Sequence, residues 1–153
     1  MLTLLADVVW PALFLEMRLL AWWVILTGLL AEWPFVRFLT HFSWKKAFIG
    51  NVAMNAASTL IGIILLPAAG IGWEFAAEPI FYRRFNIGTF NPVTWWATFL
   101  IAVLLSATIE LLILRTAFKQ RLGARGFCWL CVANSISAGL AFWSVVHSPP
   151  RTH

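Results

Sequence analysis

The chain has 153 residues, 61% hydrophobic and 11% charged, with a mean hydropathy of +0.85 and a net charge of +5. Soluble domains carry about 45–50% apolar and about 25% charged residues. A chain this short cannot hide such an apolar excess from water, so the composition excludes an ordinary soluble domain and points to a protein dissolved in lipid.

The first predicted element covers residues 3–16, TLLADVVWPALFLE, which are apolar with only two acids. Its first charge is Asp7, so it lacks the basic start of a signal peptide, and no clear small-residue cleavage site follows. The expectation is an N-terminal interfacial or re-entrant helix, broken at Trp10–Pro11.

Four long apolar runs come next, at roughly 17–37, 46–69, 93–115 and 127–147. About 20 residues at 1.5 Å each cross a hydrocarbon core of about 30 Å. The runs are continuously apolar, without the alternation of barrel strands, so four transmembrane helices are expected. Pro67 and Gly70-Ile71-Gly72 are read as the frayed end of the second span. Asn91-Pro92 reads as an N-cap and first-turn proline opening the third, and Pro149-Pro150 as the end of the fourth. Most tryptophans, among them Trp22, Trp33, Trp44 and Trp129, fall near span ends, where the indole ring prefers the headgroup layer.

Seven of the eleven Lys and Arg residues lie on two connections: Arg37, Lys45 and Lys46 on the first, Arg115, Lys119, Arg121 and Arg125 on the other. The positive-inside rule places both in the cytoplasm. Both termini and the loop 70–92 are then extracytoplasmic, and a bacterial inner membrane is the expected location. The loop holds Tyr82, Arg83 and Arg84, a basic-aromatic cluster that can meet a partner. Nucleic acid is not an expected partner, because no folded soluble element exists to present the charges.

The two halves share a pattern. Glu32 and Arg37 recur as Glu110 and Arg115 at a spacing of 78 residues; Asn55 and Ser58 recur as Asn134 and Ser137 at 79. This predicts an all-α membrane protein of two parallel two-helix hairpin repeats, about 17–69 and 93–147, within a single transmembrane domain. Each Glu lies five residues before its Arg, about 7.5 Å deeper in the membrane. It is expected to meet the Asn of the next helix, with Ser58 and Ser137 on the same faces. Such a cluster is either polar glue between helices or an ion or proton relay. The small-residue spacings Ala53-x3-Ala57, Ser58-x3-Gly62, Ser135-x3-Gly139 and Ser137-x3-Ala141 predict that spans two and four form the inner contact.

FCWLC places Cys128 and Cys131 in a CxxC pair opening the fourth span. Over those residues alone the chain resembles the vitamin K epoxide reductase type of quinone-linked thiol oxidoreductase. That resemblance implies a redox couple, but the family's second cysteine pair is missing, since the chain has two cysteines in all. The basic turn before Cys128 also puts the pair on the cytoplasmic side, opposite to the family. Small buried packing residues are the competing reading. His41, His147 and His153 are scattered, so no metal site is expected, and no catalytic motif or cofactor signature is present.

The expected role is therefore non-enzymatic: an accessory, scaffold or assembly subunit that packs against a larger membrane complex or self-associates. The alternative is a small oligomeric transporter or ion-conducting protein using Glu32 and Glu110. A membrane-resident immunity protein against a pore-forming toxin fits the same outline.

Overall fold

The computed structural model describes residues 10–76, 80 and 92–147. Among them it holds five helices and no strand: α1 (Trp10–Leu19), α2 (Trp22–Thr40), α3 (Trp44–Ala76), α4 (Pro92–Thr116) and α5 (Ala124–His147). The last four are long and apolar enough to cross a membrane, so this is an integral membrane protein.

These four helices form a closed ring. α2 packs against α3 and α5, and α4 packs against the same two, while the backbones of the diagonal pairs α2–α4 and α3–α5 nowhere come within 8 Å, Cα to Cα. The expected inner contact between the second and fourth spans is thus overturned. The two glycines invoked for it do not carry a close approach: a Cβ added at Gly62 or Gly139 would meet nothing within 4 Å. The tight approach is at Gly28 instead, where an added Cβ would lie 2.7 Å from Ser137 Oγ.

Several boundaries also differ from the sequence expectation. The first span begins at Trp22, because Leu20–Ala21 leave the helix and Ala21 is extended (φ −64°, ψ 129°). Within the described residues α1 begins at Trp10, with Pro11 in its first turn, where a missing N–H costs nothing; the expected break there lies against residues outside the described ones. α1 is ten residues long, about 15 Å, too short to cross. It packs against all four long helices and buries Pro11, Ala12, Leu15 and Glu16. α3 does not fray at Pro67 but continues to Ala76, with Gly70 set close to the Ala12 side chain. In lipid, leaving a helix early would strand backbone groups without water, which outweighs the one bond a proline removes. Residues 1–9, the Tyr82-Arg83-Arg84 cluster, Asn91 and Pro149-Pro150 lie outside the described residues.

Two apolar clusters fill the ring. One gathers Val36, Phe42, Ala47, Met54, Ala107, Leu114 and Leu130 toward the α2–α3 and α4–α5 turns. The other gathers Ala12, Leu15, Val24, Leu66, Ala102 and Ala141 at the α1 end. α2 turns one stripe inward at four-residue spacing, Val24, Gly28, Glu32, Val36 and Thr40, so its acid lies between the two clusters.

Candidate functional site

The polar layer between the clusters is built from facing helices. Glu32 on α2 is 2% exposed and accepts a hydrogen bond at Oε2 from Asn55 Nδ2 on α3, at 2.6 Å. Its Oε1 accepts one from Ser137 Oγ on α5, at 2.5 Å. Glu110 on α4, also 2% exposed, accepts one at Oε2 from Asn134 Nδ2 on α5, at 2.7 Å. Asn134 and Ser137 are one turn apart on α5, so the two carboxyl groups meet neighbouring positions of one helix face.

The layer is not symmetric. Ser58 does not reach Glu110; its hydroxyl donates to Asn55 O on its own helix, at 3.1 Å. Glu110 Oε1 is buried with no hydrogen-bond partner among the described residues. Glu32 has two side-chain donors where Glu110 has one, and Gly28 is the reason. It leaves the space through which Ser137 approaches α2. The position 78 residues later is Ser106, which carries the side chain that Gly28 lacks.

Asn51 belongs to the layer and was not singled out from the sequence. It is fully buried and its Nδ2 donates to Leu29 O at 2.8 Å, while its side-chain Oδ1 and backbone O accept from Asn55 Nδ2 at 3.2 and 3.1 Å. Its signal was its place four residues before Asn55, hence on the same helix face. The position 79 residues later is Leu130, whose backbone oxygen accepts from Asn134 Nδ2 at 3.0 Å.

The layer borders a cavity of about 460 Å³. Glu32, Asn55, Asn134 and Ser137 line its inner end, and Glu16 with Leu19 and Leu20 lines the α1 end. From Val24 to Glu32 it follows α2 for about 12 Å at helical rise. Its walls are otherwise mostly apolar, broken by the hydroxyls of Ser58, Thr59 and Ser106, and α4 supplies the back with Ala102, Leu105, Ser106 and Ile109. Ile25 on α2 and Val52, Leu60 and Ile63 on α3 line it and are exposed, as is Leu20 just after α1. The mouth therefore opens between α2 and α3, sideways.

Glu16 lies outside the spans, and burial pushes its carboxyl up from the usual carboxylate range. The folded protein then holds the proton more tightly than the unfolded chain. The carboxyl imposes no penalty below the ordinary carboxylate pKa, and stability falls as pH rises from there through the raised value. Thermal unfolding in detergent across that range is expected to show this loss, and Glu16→Gln is expected to flatten it. An unchanged slope in the variant would remove Glu16 as the cause.

The basic residues do not join the layer. Arg37 sets its guanidinium over the Trp44 ring at 5.3 Å, and Lys46 lies 4.2 Å from the centre of the Phe42 ring. Arg115 donates to Leu122 O through Nε and Nη2 at 3.2 and 2.5 Å, fastening the α4–α5 turn. Lys45, Lys119, Arg121 and Arg125 are exposed. Cys128 is exposed and Cys131 half-buried; both are free thiols, and neither lines the cavity.

Comparison with known proteins gives no family: no family profile, curated protein or solved structure matches this chain.

Proposed function

We propose that this chain is a small, non-enzymatic carrier or transporter of the bacterial inner membrane, which admits a ligand sideways from the bilayer to its central polar layer. The observation that supports the reading is Glu32: it is buried at the centre of the bundle, yet it lines a cavity whose mouth faces lipid. Polar glue alone requires no cavity. Intramembrane acids that border one are typical of ligand and ion pathways.

We further propose that two parallel hairpins, α2–α3 and α4–α5, arose by duplication. Supporting this, α2 lies diagonal to α4 and α3 to α5, as a twofold axis along the membrane normal requires. The Glu–Asn bond also recurs in each hairpin. The basic α2–α3 and α4–α5 turns favour a cytoplasmic side there, with both termini outside. In this reading Glu110 stays structural while Gly28 on α2 and Ser137 on α5 adapt Glu32 to a ligand.

The test uses a hydrophobic carbodiimide on native membranes, with modified carboxyls located by mass spectrometry. Glu32 is expected to be modified from the lipid phase and Glu110, which does not border the cavity, to be spared. An unmodified Glu32 overturns the reading. The accessory-subunit role stands second, favoured by α3, whose Leu60, Ile61 and Ile64 face outward as a surface for a partner helix. Gentle detergent extraction separates the two: a stoichiometric larger complex supports the subunit role, and a lone or self-associated chain supports the carrier.

A further inference from the structure

The geometry points to an amphiphilic organic cation as the ligand of this cavity, with its alkyl body between α2, α3 and α4 and its ammonium group on the Glu32 carboxylate. This inference rests on the carrier reading and names its substrate class.

Three features carry it. First, over about 12 Å between Glu32 and the α1 end most of the lining is aliphatic, interrupted by the hydroxyls of Ser58, Thr59 and Ser106, which suits a hydrocarbon body entering sideways. Second, the carboxylate has room. An ionised carboxylate offers about four acceptor positions. Glu32 has one side-chain donor on each oxygen, from Asn55 and Ser137, which leaves about two of the four positions unfilled on a residue that lines the cavity. Third, among the described residues lining the cavity there is no Lys, Arg or His, while Glu32 and Glu16 are both present. A fatty acid, a sulfonate or a phospholipid phosphate would bring a second anion with no counter-charge. An ammonium group brings the counter-charge that the lining lacks, in a low-dielectric setting where such pairing matters most. A neutral alcohol would find hydrogen bonds but gain nothing from the carboxylate charge.

The experiment places the wild-type protein in nanodiscs of phosphatidylglycerol and measures the rate at which the hydrophobic carbodiimide modifies Glu32. Three probes with one chain and different heads are compared: N,N-dimethyldodecylammonium, dodecanol and dodecanesulfonate. The tertiary amine cannot form an amide with the activated carboxyl, so slowing reports occupancy alone. The amine is expected to slow modification about tenfold, the factor an added 1.4 kcal/mol of affinity gives over the other two heads. Equal protection by the alcohol or the sulfonate, or no protection by the amine, overturns the cation assignment and leaves the carrier reading intact. Absence of any modification overturns the carrier reading itself. Nanodiscs of phosphatidylethanolamine test the other source of an ammonium group: protection there without added amine overturns a free amphiphile in favour of a lipid headgroup. As a check that needs no reaction at Glu32, Glu32→Gln, which keeps the hydrogen-bonding shape, is expected to weaken direct binding of the amine by about tenfold. Leu105→Trp, which fills the back wall, is expected to weaken amine and alcohol alike. Undiminished amine binding in both variants overturns the assignment.

Discussion

Gly28→Ala is expected to destabilise the protein in detergent by about 1–3 kcal/mol, although alanine in place of glycine ordinarily favours a helix by about 1 kcal/mol. The added Cβ would lie 2.7 Å from Ser137 Oγ and 3.3 Å from Ser137 Cβ. The hydroxyl then has to rotate away, which breaks its 2.5 Å bond to Glu32 Oε1. A hydrogen bond to a charged group contributes about 1.5–3 kcal/mol, and the crowding adds to the loss, so the two together outweigh the helix preference. Ser137→Ala alone loses the bond without the crowding. With Ser137 already alanine, Gly28→Ala meets only the Cβ contact at 3.3 Å, which a shift of a few tenths of an ångström relieves. The double variant should therefore be no less stable than Ser137→Ala, and the cycle should show a coupling of about 1–2 kcal/mol. A neutral Gly28→Ala with Ser137 intact would refute this account of the glycine.

Asn134→Leu should cost more than Asn55→Leu. Glu32 loses Asn55 but keeps Ser137, whereas among the described residues Glu110 has Asn134 as its only side-chain donor and already carries one unpartnered oxygen. Hydrogen bonds between membrane helices average about 0.6 kcal/mol, which sets the scale for Asn55→Leu. A buried acceptor left wholly unpaired costs about 1–3 kcal/mol, which sets the scale for Asn134→Leu. Replacing both partners by apolar groups of similar shape is nearly neutral. Adding Glu110→Leu to Asn134→Leu should therefore restore most of the stability. The readout is the midpoint of heat-induced loss of the folded peak in size-exclusion chromatography. Equal losses in the two Asn variants, or no recovery with Glu110→Leu, would show that the Glu110 bond is not what these substitutions remove.

How much of this a reader of the sequence can see depends on the range of each interaction. Four apolar runs of about 20 residues announce helices in lipid by composition alone. The Glu–Asn pairing is legible too, because a hairpin with a three-residue turn, residues 41–43, fixes which residues face across it. Ser137 and Glu32 are 105 residues apart, and their contact depends on how α5 lies against α2. Nothing local encodes that, and nothing in the apolar run around Gly28 singles that glycine out. The small-residue spacings misled for the same reason. They describe what a helix face permits, and the ring brought other faces together, leaving Gly62 and Gly139 beside open space. Pro67 misled because a soluble helix would end near it, whereas lipid penalises the exposed backbone that ending requires.

Proline placement divides the bundle mechanically. Pro34 lies inside α2 and Pro67 inside α3, the two helices that flank the mouth, and α4 and α5 have no internal proline. Each proline removes one bond of the helical ladder, to Leu30 O and Ile63 O respectively, and such positions are where helices bend. The turn joining α2 and α3 is short, and Trp33 Nε1 clasps Trp44 O across it at 3.1 Å. The hairpin thus behaves as a pair of tongs, stiff at the grip and jointed along both arms. α4 and α5 are the anvil behind it. A bend at Pro34 would carry Glu32 with the outer arm of α2, while Asn134 and Ser137 stay on the unjointed wall, so the joint lies where it can move the acid relative to its α5 partners.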